Sequence, residues 1–353
     1  MYQIPETTHF PELYRYYSIL SPDFPEFLAP YVELPLVQRL SGVGLLCGTD
    51  WTPLYHNRFF YSRLNHSIGT ALIAWNFTHS KKQTIAALLH DVSTPAFSHA
   101  NDFRKGDALK QEATESENRE LILSDPDISV LAFEDGLYAK EIADYHQYPL
   151  CDNALPRLSA DRLEYMFPSA MALTGSLDLD GVAALYGDIT VLTAEDGVPE
   201  LGFSTLRAAE DYCRMACDVG LVLQRNENKL ALSLMGAVVN MAIVGGVIEE
   251  SDLYQHSERE LLEAFAARAE AQPDAAFAAH FRTFTTMTSI QHTNAPVDGA
   301  YCVSLDVKKR YINPLVQTER GARRVSEVSP RAKRAVDEFL GFSDTKYGCV
   351  QLV

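Results

Sequence analysis

The sequence predicts a mainly α fold, a helical bundle that carries a small C-terminal α+β appendage. Apolar residues recur at steps of three and four over most of the chain, which is the spacing of the buried face of an amphipathic helix. Ser257 and Glu260 have the spacing of a capping box and open one of these apolar runs. Residues 300–313 alternate and are partly β-branched, which predicts a strand or hairpin edge near the C-terminus.

In chain order, the first segment is rich in proline and aromatic residues and is expected to wrap around the body as an irregular arm. A glycine-rich loop follows at Gly42, Gly44 and Gly48. No βαβ pattern surrounds this loop, so it does not predict a dinucleotide site. Helices are predicted for residues 65–79, 83–92, 112–123, 129–146, 153–173, 206–223, 229–248, 257–271, 275–286 and 330–340.

We therefore divide the chain into four regions. An arm covers residues 1–33, a helical core residues 34–190, a helical extension residues 191–290, and the α+β region residues 291–353. The length of 353 residues is sufficient for a large apolar core in one or two domains.

The formal net charge of −17 restricts the partners. Binding to nucleic acid or to an anionic membrane needs a basic surface, so neither is expected. A small anionic substrate is compatible with this charge, because a local basic pocket can outweigh the overall field. The apolar run of residues 236–248 is interrupted by Asn240 and is too short to span a bilayer. The sequence does not open with a basic stretch and an apolar run, so a cytoplasmic location is expected.

The six cysteines include no CxxC pair, and their spacing does not predict a disulfide framework. Cys213 and Cys217 are four residues apart in a predicted helix, as expected for side chains packed in a core.

Histidine and aspartate residues with metal-ligand chemistry lie in or near the predicted helices. His66 is early in one helix, the adjacent His90 and Asp91 end the next, and Asp161 lies in a later helical segment. Imidazole and carboxylate groups bind divalent metals, and Mn, Fe, Co, Ni, Zn and Mg all accept such ligands. Neighbouring residues on a helix diverge by about 100°. His90 and Asp91 can therefore share one metal only from a wide inward face or from a loosened helix end.

The ordered set of His66, His90, Asp91 and Asp161 resembles the H…HD…D signature of HD-superfamily phosphohydrolases. The flanking segments follow one another as in the deoxynucleoside triphosphate triphosphohydrolases. The resemblance implies an HD-domain helical bundle, a divalent metal on these four residues, a nucleotide substrate and a homo-oligomer. The resemblance covers residues 34–188 well and residues 301–340 more loosely. Five segments within residues 34–188 carry it: RLSGVG (39–44), RLNHS (63–67), ALLHD (87–91), PAFSHA (95–100) and ADRLEY (160–165).

In that family, basic and tyrosine residues of these segments bind the phosphates. The resemblance gives this role to Arg63, Arg162 and Tyr165, and Thr94, next to the HD pair, is counted with them as a substrate contact. The planar guanidinium group suits phosphate because it donates two hydrogen bonds at once. The alternative is that Arg63 and Arg162 only pair with nearby carboxylates such as Glu164.

The sequence departs from the family at positions associated with proton transfer. The family form HDxGHxPFSH is HDVSTPAFSH here, so Thr94 replaces a histidine, and a glutamine beside Glu112 replaces another. Neither replacement donates a proton at neutral pH. The candidates for the general acid are His99, Glu112 and His146, and Asp91 is expected to act in catalysis at the metal.

The predicted function is that of a metal-dependent phosphohydrolase acting on nucleotides, with (deoxy)nucleoside triphosphates as the expected substrates and metal-activated water as the attacking group. The missing histidines motivate an alternative, a non-catalytic or weakly active regulator that binds metal and nucleotide. A phosphodiesterase or an oxygen-using HD enzyme is a third hypothesis.

Overall fold

The computed structural model describes residues 9–55, 57–109 and 117–353. Within these residues the fold is mainly α with two small sheets and a C-terminal α+β part, as predicted. The helices are α1 Leu13–Leu20, α2 Ala29–Val32, α3 Pro35–Gln38, α4 Arg63–Thr78, α5 Lys81–Leu89, α6 His99–Arg104, α7 Asn118–Ser124, α8 Pro126–Glu134, α9 Ala139–Ile142, α10 Ala160–Ser169, α11 Leu179–Tyr186, α12 Leu206–Gln224, α13 Asn226–Val244, α14 Glu258–Ala271, α15 Ala276–Thr286, α16 Val325–Val328 and α17 Pro330–Gly341.

The strands are β1 Ile189–Thr193, β2 Pro199–Phe203, β3 Gln291–Thr293, β4 Ala300–Val303, β5 Leu315–Thr318, β6 Gly321–Arg324 and β7 Tyr347–Gln351. They form two sheets. In the first, β1 and β2 are antiparallel, β2 and β5 are parallel, and β5 and β6 are antiparallel. In the second, β7 lies between β3 and β4 and is antiparallel to both.

Three large apolar clusters hold the helices together, and each joins distant parts of the chain. The first cluster packs α1, α4, α10, α12 and α17 in one core. The second packs α13, α14 and α15 with β4, and the third packs α2, α3, α5, α8 and α9. The first cluster therefore crosses all of the region boundaries predicted at residues 33, 190 and 290.

Most of the predicted helices form, with shifted ends. The capping box that opens α14 is confirmed: the Ser257 hydroxyl accepts from the Glu260 amide, and the Glu260 carboxylate accepts from the Ser257 amide. The single helix predicted for residues 129–146 is wrong, because the chain turns at Gly136, whose φ is +73°, between α8 and α9. The helix predicted for residues 153–173 begins only at α10. Pro156 lies before that start and has no backbone N–H to donate. The prediction for residues 112–123 lies partly outside the described residues, and α7 covers its end.

The N-terminal arm is more regular than predicted. Its described part contains α1 and α2, and in α1 the side chains of Leu13, Tyr16, Tyr17 and Leu20 recur at helical spacing. Tyr16 and Leu20 are fully buried. The β1–β2 hairpin was not predicted, and the strand predicted for residues 300–313 is restricted to β4.

The structure joins Cys302 and Cys349 in a disulfide, although the sequence predicted no disulfide framework. The two residues are 47 positions apart in sequence and directly opposite each other in the β4–β7 register. Only the sheet brings them together, so spacing along the chain could not identify the pair. Cys213 and Cys217 are buried in α12, as predicted.

Among the described helices, α13 is long and apolar enough to cross a membrane by length and composition alone. More than half of its apolar stretch, 56%, is buried inside the protein, where the helix packs against α6 and α15.

Candidate metal centre and its pocket

Three elements bring the predicted metal ligands together. The Ser62 hydroxyl accepts from the Asn65 amide and starts α4, which carries His66 in its first turn. In the same way, the Ser159 hydroxyl caps α10 and sets Asp161 in the first turn of that helix. His90 lies just beyond the last residue of α5. The HD pair therefore occupies a loosened helix end, one of the two arrangements in which both side chains can point to one site.

The donor atoms of His66, His90 and Asp161 lie close enough to share one ion. The two Nε2 atoms are 3.1 Å apart, and Asp161 Oδ1 is 3.1 Å from His66 Nε2 and 3.7 Å from His90 Nε2. Two donors that bind one divalent ion at about 2.1 Å lie about 3 to 3.5 Å apart. These three residues could therefore hold a metal ion, and two nitrogens with one carboxylate oxygen suit a transition metal.

Both imidazoles are held so that Nε2 points to this site. His66 Nδ1 hydrogen-bonds to Glu164, and His90 Nδ1 donates to the Ala87 carbonyl at 2.7 Å. A metal-binding histidine usually donates its second nitrogen to a carboxylate or carbonyl, which fixes both the tautomer and the ring orientation.

Glu164 is a fully buried carboxylate that binds His66 on the side of the ring opposite the candidate metal site. Its Oε2 binds His66, and its Oε1 accepts from the hydroxyls of Tyr61 at 2.6 Å and Tyr16 at 3.0 Å. Gly69 makes room for it, since a Cβ there would lie 2.5 Å from Glu164 Oε1. Without a metal, burial lowers the pKa of His66, but Glu164 and then Asp161 outweigh that effect and raise this pKa to about 10.

Asp91 lies beside the three donors and is shared with a buried arginine. Its Oδ2 is 3.7 Å from His90 Nε2 and 4.0 Å from His66 Nε2, but only 2.6 Å from Arg63 Nη1. Thr94 donates to the other Asp91 oxygen at 3.1 Å. Burial alone would raise the pKa of Asp91, but Arg63 and the two histidines hold it far below its usual range. Asp91 is therefore an anionic carboxylate beside the three donors, and its nearest partner is Arg63.

His99 forms a second polar pair in the same pocket. Its Nδ1 lies 2.7 Å from Oδ2 of Asp102, which is fully buried, and this contact leaves Nε2 for a bound molecule. Burial lowers the pKa of His99; Asp102 opposes this effect, and the nearby Arg310 and Arg63 add to it. An anion bound beside Nε2 would raise this pKa again, because it favours the charged imidazolium.

A cavity of about 180 Å³ is lined by the candidate donors and their neighbours: His66, His90, Asp91, Thr94, His99 and Asp161. Arg63, Lys308 and Arg310 contribute positive charge to its lining, so the acidic chain does have a basic pocket. The remaining surface is partly apolar and aromatic, and it includes Leu45, Leu46, Tyr55, Tyr145, Tyr165, Leu173, Leu223, Leu232 and Val307.

The structure brings most, but not all, of the predicted site residues together. Thr94 and Tyr165 line the pocket, but Arg162 is absent from the lining among the described residues. The Arg162 guanidinium instead binds Asp152, Asn153 and the Arg157 carbonyl, at 3.1, 2.7 and 2.9 Å. This geometry agrees with the alternative that Arg162 pairs with protein groups, although its partner is not Glu164.

Two candidates for the general acid are not placed at the site. His146 is half exposed, pairs with Asp152 at 2.7 Å and does not line the described part of the pocket. Glu112 lies outside the described residues. His99 is the candidate that the structure brings into the pocket.

The sequence did not identify Lys308 and Arg310 as pocket residues. They lie in a coil between β4 and β5 that packs on α12: Gln224 donates to the Lys308 carbonyl at 2.9 Å, and a Cβ at Gly220 would lie 2.8 Å from the Arg310 carbonyl. Two signals were present in the sequence, their basic character and the looser family resemblance over residues 301–340, and neither shows which distant element they face.

Comparisons with known proteins show the fold but no family. No family model matches the chain. A stretch of 132 residues is 29% identical to the uncharacterized protein YdhJ of Bacillus subtilis, and it spans 36% of this chain and 38% of that protein. The fold is similar to the crystal structure of a phosphohydrolase from Bacteroides thetaiotaomicron, with a TM-score of 0.65, 14% identity, and coverage of 99% of this chain and 100% of that one. A hypothetical protein from Aquifex aeolicus is also similar, with a TM-score of 0.55, 14% identity and 93% of each chain covered. The chain therefore shares its fold, over almost its whole length, with a protein described as a phosphohydrolase.

Proposed function

We propose that this protein is a metal-dependent phosphohydrolase of the HD type that acts on nucleotides, with (deoxy)nucleoside triphosphates as substrates. The observation that carries this proposal is the convergence of His66, His90 and Asp161 at the floor of a basic pocket. The resemblance of the ordered H…HD…D segments supports it, as does the fold shared with a phosphohydrolase.

A divalent ion held by His66, His90, Asp161 and Asp91 would supply a Lewis acid for a phosphoryl oxygen and would lower the pKa of bound water. Arg63 holds Asp91 anionic at this site. The basic side chains of Lys308 and Arg310 neutralise phosphate charge from the opposite element of the pocket. Such preorganised charge stabilises the transition state in a site that excludes bulk water.

His99 is the proposed proton donor to the leaving group. Asp102 binds Nδ1 of His99, so Nε2 is the atom that would donate the proton to the leaving group. Burial lowers the pKa of His99, and a bound phosphate would raise it again, because an anion favours the charged imidazolium that donates the proton. Thr94 cannot take this role because its hydroxyl is not acidic at neutral pH and donates to Asp91.

The experiment that tests the proposal is a product screen. The protein is loaded in turn with Mn²⁺, Co²⁺, Ni²⁺ and Mg²⁺, incubated with ribo- and deoxynucleotides, and the products are separated by chromatography with phosphate detection. We expect tripolyphosphate and nucleoside. We also expect no turnover by His90→Ala or Asp161→Ala at an unchanged helical circular dichroism spectrum, and full turnover by the matched variant His146→Ala.

The regulator is the second candidate function, and the observation that favours it is the Thr94–Asp91 hydrogen bond in place of an additional histidine. Nucleotide-dependent thermal stabilisation without any product would support it. Release of monophosphate or pyrophosphate would support the assignment as a hydrolase and would show that a different bond is cleaved. Unchanged turnover by His90→Ala would refute the assigned site.

A further inference from the structure

A buried carboxylate outside the pocket, that of Glu258, contacts the segment that carries His99. Glu258 is the first residue of α14 and is fully buried. Its Oε1 accepts from the Phe97 amide at 2.9 Å, and its Oε2 accepts from Trp51 Nε1 at 2.6 Å. One side chain at the start of α14 therefore holds two segments that border the pocket.

The segment that Glu258 holds has an unusual backbone. Phe97 and Ser98 have φ angles of 61° and 42°, so two successive residues other than glycine lie in the left-handed region. Such a conformation persists only where the surroundings fix it. The neighbouring Ala96 amide donates to the Leu253 carbonyl at 2.7 Å, so the chain just before α14 holds the same turn a second time.

Both ends of this turn lead to the chemistry of the pocket. The Ser98 hydroxyl accepts from Arg63 Nε at 2.8 Å, and Arg63 binds Asp91. His99, the next residue, opens α6. A change in the turn would therefore alter the orientation of both Arg63 and His99. The metal donors themselves lie on α4, α10 and the end of α5, which this turn does not carry.

The loop of Gly42 and Gly44 is shaped to let α14 approach. A Cβ at Gly42 would lie 2.5 Å from Ser257 Cβ, and a Cβ at Gly44 would lie 3.2 Å from Glu258 Oε2. Gly44 also forms a bridge with Ser62, which caps α4. The start of α14 is thus inserted between the loop before α4 and the turn before α6.

We propose that Glu258 is a positioning residue of the pocket, which fixes the Phe97–Ser98 turn and thereby sets Arg63 and His99 for the bound phosphate. The substrate part of this inference rests on the proposed function. The geometric part, that Glu258 controls the environment of His99 while leaving the metal donors in place, does not.

The test compares Glu258→Gln with the double variant Glu258→Gln/Trp51→Phe. Glutamine keeps the volume but replaces one carboxylate oxygen by an NH2 donor. Because the Phe97 amide and the Trp51 indole bind different oxygens of Glu258, one of them would then face a donor. Removing the indole N–H frees the remaining oxygen for Phe97. Trp51→Phe alone is the matched control, since it leaves the contact with Phe97 intact.

The first readout is the NMR titration of the His99 imidazole, which needs no turnover. We expect Glu258→Gln to shift the His99 resonances and its pKa, and the double variant to return both toward the wild type. Isothermal titration with Mn²⁺ should give affinities within about twofold in all variants, because His66, His90 and Asp161 lie on elements that this turn does not carry. Where nucleotide turnover is present, kcat should fall at least tenfold in Glu258→Gln and recover in the double variant.

Wild-type His99 titration in Glu258→Gln would overturn the inference. A parallel loss of Mn²⁺ affinity and His99 signals, without recovery in the double variant, would also overturn it, since it would show a general structural role. A wild-type protein without turnover would refute the proposed function. The NMR titration of His99 would then still decide whether Glu258 is a positioning residue.

Discussion

The Nδ1 atom of His66 hydrogen-bonds to the carboxylate of Glu164, and that carboxylate is completely enclosed by protein. The contact leaves Nε2 of His66 as the atom that faces His90 and Asp161. Two tyrosine hydroxyls from different parts of the chain bind the other Glu164 oxygen. The orientation of one imidazole thus depends on α4, α10 and the N-terminal arm together.

Replacing Glu164 by glutamine should weaken metal binding while the fold is retained. The neutral amide is a poorer partner for His66 Nδ1, and the loss of such a carboxylate typically lowers metal affinity about 10- to 100-fold. Isothermal titration with Mn²⁺ measures the change. Glu210→Gln is the control, because Glu210 is a partly buried carboxylate that binds Ser329, and neither residue lines the described part of the pocket. Equal Mn²⁺ affinity in the two variants would contradict the role given to Glu164.

Gly69→Ala should destabilise the protein, although alanine normally stabilises a helix interior by about 0.5 to 1 kcal/mol. The new methyl group would lie 2.5 Å from Glu164 Oε1 and 2.8 Å from its Cγ, so Glu164 must move. We expect a lower melting temperature together with weaker Mn²⁺ binding. Gly341→Ala is the control, since a Cβ there meets no atom within 4 Å. A more stable Gly69→Ala variant with normal metal affinity would show that Glu164 has room to adjust.

The mainly α fold and the grouping of the metal donors could be predicted from sequence, for a shared reason. Helical spacing is a pattern over a few residues, and each of His66, the His90–Asp91 pair and Asp161 stands in a short segment that can be recognised by itself. Glu164 was noticed only as a carboxylate, because its partners Tyr16 and Tyr61 are about a hundred or more positions away. Contacts of that kind depend on packing, which one sequence does not display.

The basic side chains of Arg162, Lys308 and Arg310 illustrate the same limit. Arg162 follows a metal donor directly, and on a helix neighbouring residues point in different directions, so adjacency does not put Arg162 in the pocket. Lys308 and Arg310 are about 150 positions beyond Asp161 and still line the site, because their coil packs on α12. The disulfide between Cys302 and Cys349 depends on strand register in the same way.

Arg162 and Arg310 should therefore behave differently on substitution. Arg310→Gln removes a charge from the pocket lining, so we expect KM for a nucleotide to rise about tenfold. Arg162→Gln breaks hydrogen bonds to Asp152 and Asn153, so we expect a clear fall in melting temperature. Steady-state kinetics and thermal unfolding of both variants make the comparison. A raised KM in Arg162→Gln with normal stability would restore its predicted role in phosphate binding.

Asp50 should make the stability of the protein fall as pH rises from 3.8 to about 8. Burial, and then the charge of Glu258, raise the pKa of Asp50 from 3.8 to about 8, and its Oδ2 has no hydrogen-bond partner among the described residues. Between these two values the folded protein binds a proton that the unfolded chain has released. Stability therefore falls as pH rises through this window, and the loss is complete above the folded pKa.

Asp50→Asn mimics the protonated carboxyl and removes this loss. We expect the melting temperature of the variant, relative to the wild type, to be higher by several more degrees at pH 8.5 than at pH 5. Thermal unfolding of both proteins at pH 5 and pH 8.5 gives the difference in melting temperature at each pH. An effect of the amide that does not depend on pH cancels when the two differences are compared. Asp298→Asn is the control, because Asp298 is exposed, and its difference from the wild type should not vary with pH. An Asp50→Asn difference that is equally independent of pH would mean that Asp50 is ionised in the folded protein, and that a second charge is tolerated beside Glu258.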